Sequence, residues 1–205
     1  DALCNYLLRL GWGHGNDEII NRSQAIEWFS LENVGRGAAR FDIDKLTNLN
    51  GHYIRDSNDE DLIDLIMPPL QDLLSEKFFK ESAMRLKKGI SSLKKRAKTI
   101  VELIEGAEIY ARLRPFELDK NALELIEGDG IEHLRNLRIV LAGLDDWEVQ
   151  GLQENIRKYS DDLGTKLGKI TQPLRAALSG RVTSPSLFEV MEIIGRDETL
   201  ARIDD

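Results

Sequence analysis

The sequence predicts an all-α protein, and three features of the chain support this prediction. Apolar residues recur at the helical spacing of three and four positions along most of its length. Polar capping residues and glycines mark the starts and ends of these stretches. No segment shows the sustained apolar and polar alternation of a strand ladder, and no internal repeat interrupts the pattern.

The first part of the chain is predicted to hold three helices. Residues 2–10 form a strongly apolar stretch that ends at Gly11, and they predict a buried helix with Cys4 in the core. A second helix is predicted to begin with Ser23 as its N-cap. The third covers residues 41–55, where apolar side chains fall three to five positions apart.

The middle of the chain is predicted to begin with a polar joint at 57–61, which starts a further helix. Pro68 and Pro69 are predicted to interrupt that helix, because proline lacks the N–H that an interior position requires. A long amphipathic helix is then predicted from about residue 76 to 105. Its apolar stripe keeps the helical spacing at Ile90, Leu93, Ala97, Ile100, Val101 and Ile104.

The last part is predicted to contain six shorter helices. Two are expected at 118–126 and 131–141, and a third begins after Asp145 or Asp146. The next pair is separated by a short polar turn. Proline and arginine at 173 and 175 are predicted to open its first member, Gly180 ends it, and Ser184 or Ser186 caps its second. Ser186 and Glu189 have the spacing of a capping box. Residues 197–203 are predicted to form the last helix.

The charge is distributed unevenly. The chain of 205 residues has 28 basic and 36 acidic side chains, a net charge of -8, which by itself argues against a nucleic-acid partner. The window 82–99 nevertheless contains no acid. It carries seven cations, namely Arg85, Lys87, Lys88, Lys94, Lys95, Arg96 and Lys98. These residues form either a solvated helix face or a surface that contacts phosphates.

Several classes of protein are disfavoured by composition. No apolar run reaches the roughly 18 to 20 residues that span a bilayer, and no basic-then-apolar leader precedes the first helix. The chain begins with Asp1, which predicts a piece of a longer protein. The single cysteine fits a reducing cytosol. His14, His52 and His133 lack the spacing of a zinc site, so no metal is expected. No nucleophile, base and oxyanion donor assemble, and no catalytic residue is predicted.

The polar turn between residues 180 and 186 has the chemistry of a site for an unstacked base. It combines exposed hydroxyls and free N–H groups with the guanidinium of Arg175 and the ring of Phe188. Donors, acceptors, a planar cation and an aromatic ring are the groups that hold single-stranded RNA bases. This combination is plausible but not specific.

Three segments together resemble bacterial glutamyl-tRNA synthetases. Residues 2–12 (ALCNYLLRLGW) are similar to the segment that follows the second ATP-site signature of that family. Phe41-Asp42 with LNGHYIR at 49–55 is similar to a second hallmark. The C-terminal signature is matched by LGK at 167–169 through Gly180, by SPSLFE at 184–189 and by Gly195-Arg196. The resemblance covers the whole chain in the family order.

The resemblance implies the part of a class I synthetase that binds tRNA, in three regions. These are the end of the stem-contact region (1–57), a first helical anticodon-binding subdomain (58–111) and a second one (112–205). The full enzyme attaches glutamate to tRNA with ATP, and its ATP and Mg²⁺ sites are expected before Asp1, so no cofactor is expected in this chain. The implied protein is cytoplasmic and monomeric, with no membrane partner.

The resemblance also assigns site residues. Anticodon contacts are expected from Gln172, Arg175, Ser184, Pro185, Leu187 and Phe188, where Ser184 replaces a threonine of some members but keeps the hydroxyl. Cations of the basic window are expected to contact phosphates, with Lys94, Lys95 and Lys98 as the candidates.

One departure from the family bears on tRNA choice. Members that reject glutamine tRNA carry an arginine early in the basic helix, where it contacts the third anticodon base. The matching position here is Gly89, with Lys88 beside it. Gly89 and Lys88 are both expected to contact the anticodon. Because lysine lacks the bidentate geometry of arginine, the enzyme is expected to be relaxed and to charge glutamine tRNA with glutamate as well.

Two alternatives remain open at this point. The chain could be a helical protein-interaction module in which the basic window is only a solvated face and Phe188 belongs to the core. It could also be a paralogue that keeps the fold but serves a different tRNA.

Overall fold

The computed structural model describes residues 1–71 and 79–205. Every regular element in these two ranges is helical, and the all-α prediction is confirmed. No helix in the described ranges has the length and apolarity needed to cross a membrane.

The helices fall into three groups along the chain. The first group contains α1 (Ala2–Gly11), α2 (Arg22–Trp28), a 3-10 turn (Leu31–Asn33) and α3 (Ile43–Asp56). The second contains α4 (Asp59–Gln71), α5 (Phe79–Leu93) and α6 (Ile100–Ala111). The third contains α7 (Lys120–Ile126), α8 (Asp129–Ala142), α9 (Val149–Asp162), α10 (Leu167–Ser179), α11 (Leu187–Ile194) and α12 (Arg196–Asp204).

The first group is held together by polar and aromatic contacts around α1. The Asn5 side-chain amide donates to the backbone oxygen of Glu18 at 2.9 Å and accepts from the backbone N–H of Ile20 at 3.0 Å. The Tyr6 hydroxyl accepts from the backbone N–H of Asp42 at 2.6 Å, which fixes the start of α3. Only one side of α1 is buried, and Cys4 is exposed, so its predicted core position is wrong.

Two hydrophobic cores organise the rest of the chain. The first is built by α4, α5 and α6 with Ile54 from α3, and the second by α8 to α11. Helix α11 belongs to both, since Val190 and Ile194 lie in the first core while Leu187 and Met191 lie in the second. Residues four apart share a helix face, so the two faces of α11 join the cores.

The predicted long helix from 76 to 105 is wrong in its described part. Helix α5 ends at Leu93, a turn occupies residues 94–99, and α6 starts anew at Ile100. The Thr99 hydroxyl accepts from the backbone N–H of Glu102 at 3.1 Å, which caps the new helix. The apolar spacing continues through the turn because Ala97 is buried there, and this continuity conceals the break. Residues 76–78 lie outside the described ranges.

Four further predictions about helix ends are corrected. Helix α4 continues through Pro68 and Pro69, and both prolines are exposed. The N-cap of α2 is Asn21, which forms a reciprocal capping box with Gln24, and is not Ser23. Helix α10 begins at Leu167, so Pro173 lies buried inside it and does not open it. The N-cap of α9 is Glu148, although Asp146 accepts from its backbone N–H at 3.0 Å.

Candidate nucleic-acid interface

Arg175 anchors the turn between α10 and α11. Its Nη1 donates to the backbone oxygens of Pro185 at 2.8 Å and Ser184 at 3.2 Å, and also to the Ser184 hydroxyl. Gly180 ends α10 with φ 73°, a conformation that lets the chain reverse toward the arginine. The guanidinium therefore fixes the backbone of the turn, a contact that the sequence did not predict.

The anchored turn forms one wall of a cleft of about 420 Å³. Ser184 and Pro185 line it together with residues of the first core, among them Leu93 and Ile109. Ser184 is half-buried and Pro185 is buried. The cleft therefore lies between the second and third groups of helices, where a flexible single strand could enter.

The turn at 94–99 brings one cation to this cleft. Arg96 lines the cleft, as do Arg112 and Arg181 from elsewhere in the chain, and Lys95 and Lys98 are exposed on the same turn as Arg96. The backbone oxygen of Lys98 accepts from the Asn50 side-chain amide at 2.7 Å. This contact holds the turn against α3, so the cations are presented by a fixed backbone.

Lys94 has a different environment from its neighbours. Its Nζ lies 2.6 Å from Oδ1 of Asp59 and donates to the backbone oxygen of Ser57 at 2.9 Å. The Lys94 ammonium is the main cause that lowers the pKa of Asp59, and a hydrogen bond from Ser91 adds to it. A phosphate contact by Lys94 stays a prediction, and it would compete with this ion pair.

Gly89 faces the inside of the protein. It is buried on α5 against Tyr110, and a Cβ at this position would lie 2.4 Å from the tyrosine ring. Burial is the main cause that raises the pKa of Tyr110. Lys88, at the preceding position, is exposed, and so is Lys87. The cations that this part of α5 presents at the surface are therefore these two lysines.

The remaining predicted contacts differ in their accessibility. Gln172 is exposed on α10, and Phe188 is half-buried where it packs against the second core. Leu187 is 3% exposed, so its predicted contact with a base would require a side chain that the core already uses. The Ser186–Glu189 capping box does not form, because Glu189 accepts instead from the Ser92 hydroxyl of α5.

Arg202 is a buried cation that sequence inspection missed. It is 2% exposed, and it donates to the backbone oxygens of Leu178 at 3.0 Å and Ile109 at 3.1 Å. Its Nε donates to Glu198 at 2.8 Å, and its guanidinium lies 4.6 Å from the ring centroid of Phe116. Burial lowers the pKa of Arg202. It thus links α6 to α10 and α12 and fixes the two walls of the cleft.

No group of three or more His, Cys, Asp or Glu side chains in residues 1–71 and 79–205 is placed to hold a metal ion. What the cleft offers is an anchored backbone turn with hydroxyl groups, apolar walls and nearby guanidinium and ammonium groups. These are the groups that bind splayed bases and phosphates, and they define a helical module suited to single-stranded RNA.

Residues 61–205 match the model of the anticodon binding domain family, and the chain belongs to that family. It is 48% identical over 205 residues to glutamate–tRNA ligase 2 of Rhizorhabdus wittichii and 45% identical over 205 residues to glutamate–tRNA ligase 2 of Zymomonas mobilis. Each match covers 100% of this chain and 43% of the relative, so the chain spans less than half the length of these relatives.

Two solved structures have the same fold. A glutamate tRNA ligase from Elizabethkingia meningosepticum in complex with its amino acid superposes with a TM-score of 0.81 at 24% identity. The match covers 99% of this chain and 40% of that one. A glutamate-tRNA synthetase from Elizabethkingia anophelis gives a TM-score of 0.77 at 25% identity, covering 99% and 39%. The family resemblance found in the sequence is confirmed.

Proposed function

We propose that this chain is the anticodon-binding part of a glutamate–tRNA ligase. The observation that carries the proposal is the anchoring of Ser184 and Pro185 by Arg175 at the edge of the cleft. We propose glutamate tRNA as the partner because the relatives that match the whole chain are glutamate–tRNA ligases. The whole ligase joins glutamate to tRNA with ATP, and ATP and Mg²⁺ bind outside this chain.

Anticodon bases would be held by two kinds of contact. The turn offers the Ser184 hydroxyl and neighbouring backbone groups, which distinguish bases because a wrong base leaves buried polar groups unpaired. Gln172 and Phe188 lie on the helices that flank the turn and offer an amide and an aromatic surface. Stacking of a base on an aromatic or guanidinium plane contributes about 1–3 kcal/mol.

Each of the three regions predicted from the sequence has its own role in tRNA binding. Residues 1–57 contact the tRNA stem region, and 58–111 and 112–205 act as two anticodon-binding subdomains. Lys95 and Lys98, with Lys94 if its ion pair opens, contact the phosphodiester backbone. The protein acts as a monomer in the cytoplasm.

The experiment is a binding titration of the chain with three RNAs at several salt concentrations. The RNAs are glutamate tRNA, the same tRNA with a changed anticodon, and an unrelated tRNA. We expect the tightest binding to the first, with affinity that falls steeply as salt rises because phosphate contacts release counterions. Equal affinity for all three RNAs would contradict anticodon recognition. Failure to bind any RNA would favour the alternative of a protein-interaction module.

We further propose that the ligase also accepts glutamine tRNA. Gly89 leaves no side chain at the position where stricter relatives are expected to place an arginine, and Lys88 beside it is a point charge. Charging of purified glutamine tRNA with glutamate by the whole ligase tests this. Product formation supports relaxed recognition, whereas no detectable product refutes it and leaves anticodon binding intact. Preference for a third tRNA would support the paralogue alternative.

A further inference from the structure

Helix α2 and the 3-10 turn that follows it bury none of their residues, although this segment, residues 22–34, is rich in apolar side chains. Ile26 is 74% exposed, Phe29 47% and Leu31 81%. A helix of seven residues is too short to be stable by its own hydrogen bonds, and such helices are held by an apolar face packed on a neighbour. The segment 22–34 therefore has an apolar surface that needs a partner.

The indole of Trp12 indicates the same partner. Its ring centroid lies 5.8 Å from that of Phe29, and Trp12 is 5% exposed. Within residues 1–71 and 79–205 its Nε1–H has no acceptor, and neither has the buried Nη1 of Arg9, three positions earlier in the sequence. Buried donors are nearly always paired, because leaving one unpaired costs its full desolvation. Acceptors for these donors are therefore expected from a partner surface.

The charge of this region favours a protein surface over RNA as the partner. Residues 1–57 carry six basic and eight acidic side chains. Within the segment 22–34, Glu27 and Glu32 outnumber Arg22. A phosphate backbone is bound by an excess of cations, which this region lacks. Exposed apolar side chains beside unpaired donors instead match a protein surface that combines an apolar centre with carbonyl or carboxylate oxygens.

The length of the related ligases identifies which protein surface this is. The relatives match the whole of this chain, but the chain spans only 43% of their length. On the proposed function, the remaining part holds the ATP site and is joined to Asp1, which directly precedes α1. Covalent linkage gives it an effective concentration of about millimolar, so it reaches an uncovered apolar surface ahead of a separate molecule.

We propose that the segment 22–34 packs against the part of the ligase that precedes Asp1, and that this part supplies the acceptor for the Nε1–H of Trp12. Ile26, Phe29 and Leu31 form the apolar centre of the contact. It connects the ATP-binding part of the ligase to the helices described above, because Tyr6 on α1 holds the start of α3. Contacts of residues 1–57 with the tRNA stem then use other sides of this group. The inference rests on the proposed function.

The first test measures access to the segment in the whole ligase. Leu31→Cys is treated with a maleimide, and the labelling rate is read by mass spectrometry of the peptide that carries the new thiol. Ile139→Cys is the matched control, since Ile139 is 70% exposed on α8 and lies far from the segment in the sequence. We expect Leu31→Cys to react at least about tenfold more slowly than the control, because a covered thiol reacts only when the contact opens.

The second test identifies what covers the segment. A photoreactive benzophenone amino acid replaces Leu31 in the whole ligase, and the cross-linked peptides are sequenced by mass spectrometry. The main product should join this position to a peptide that precedes Asp1 within the same molecule. The same amino acid at position 139 should not yield that product.

The third test concerns the Trp12 hydrogen bond. In the whole ligase that carries Leu31→Cys, Trp12→Phe should speed labelling about fivefold, because loss of one hydrogen bond makes opening of the contact easier. Trp147→Phe is the control, since Trp147 donates to the backbone oxygen of Met191 in the third helix group and should leave the rate unchanged. Equal labelling rates in the two variants would show that Trp12 has no acceptor in the contact.

Three results would overturn the contact itself. Labelling of Leu31→Cys as fast as Ile139→Cys would mean that nothing covers the segment. Protection that grows with protein concentration would identify a second copy as the partner, and protection that appears only with tRNA would identify RNA. Anticodon binding is measured separately by the titration with three RNAs, so each of these results leaves the proposed function intact.

Discussion

Gly89 of α5 lies directly against the ring of Tyr110 of α6. A Cβ on Gly89 would be 2.4 Å from Cε2 and 2.8 Å from Cζ of that ring. Tyr110 is 1% exposed and lies in the first core, so the ring has no free space into which it could move. The glycine is thus required by close helix packing, which outweighs its cost of about 1 kcal/mol relative to alanine inside a helix.

Gly89→Ala should therefore destabilise the protein. We expect a loss of about 1–3 kcal/mol in the free energy of unfolding, because overpacking outweighs the gain in helix propensity. Gly168→Ala is the control, since Gly168 is helical on α10 and has no atom within 4 Å of the added methyl group. It should be neutral or stabilising by up to about 1 kcal/mol. Urea unfolding that gives both variants the same midpoint would contradict the packing argument.

Arg202→Met should cost about 2–4 kcal/mol of unfolding free energy. The substitution leaves the backbone oxygens of Leu178 and Ile109 without a donor in a buried environment. Arg138→Met is the matched control. Arg138 pairs with Asp204 on the surface, with side-chain exposures of 40% and 49%, and such exposed pairs contribute little to stability. Equal denaturation midpoints for the two variants would show that Arg202 does not join the helix groups.

The ion pair between Lys94 and Asp59 should make stability depend on pH in the acidic range. The pKa of Asp59 is lower in the folded protein than its ordinary value, mainly because of Lys94. The stabilisation is therefore present above the ordinary carboxyl pKa and is lost as pH falls through the lowered one. Because the Asp59 side chain is 37% exposed, we expect less than about 1 kcal/mol.

Asp59→Asn tests this dependence. The difference in unfolding free energy between Asp59→Asn and the unaltered chain should be present near neutral pH and should vanish in strong acid. Lys94→Met should raise the pKa of Asp59 as followed by NMR. An unchanged Asp59 titration in that variant would mean that another group lowers its pKa.

Arg175→Lys should impair anticodon recognition more than general RNA binding. Lysine keeps the charge, but its side chain is one atom shorter and does not reach the position of Nη1, the atom that holds Ser184 and Pro185. We expect glutamate tRNA to lose more affinity than the same tRNA with a changed anticodon. Lys95→Gln is the comparison, because loss of an exposed cation that we propose to contact a phosphate should lower the affinity for both RNAs about equally. Parallel losses from both variants would remove the specific role of Arg175.

Local chemistry allowed the sequence to predict much of the fold. Helices were predicted at 41–55 and 118–126, and in the structure these helices start after Asp42 and Asp119, whose side chains accept backbone N–H groups three residues later. The basic window at 82–99 and the turn that follows Arg175 each consist of residues that are adjacent in the sequence. Both can therefore be recognised without a structure. The break at 94–99 was missed although Thr99 and Glu102 have capping spacing, since the apolar rhythm continued across it.

The sequence by itself determined the helical class, the family and the groups available to bind RNA. Only the tertiary structure decided which of these groups are accessible. Lys94 is paired with Asp59, Gly89 is buried against Tyr110, and Arg96 lines the same cleft as Ser184. The reason is physical. Helix periodicity and caps depend on neighbours within about four residues, whereas these contacts join residues of different helices and depend on how the whole chain packs.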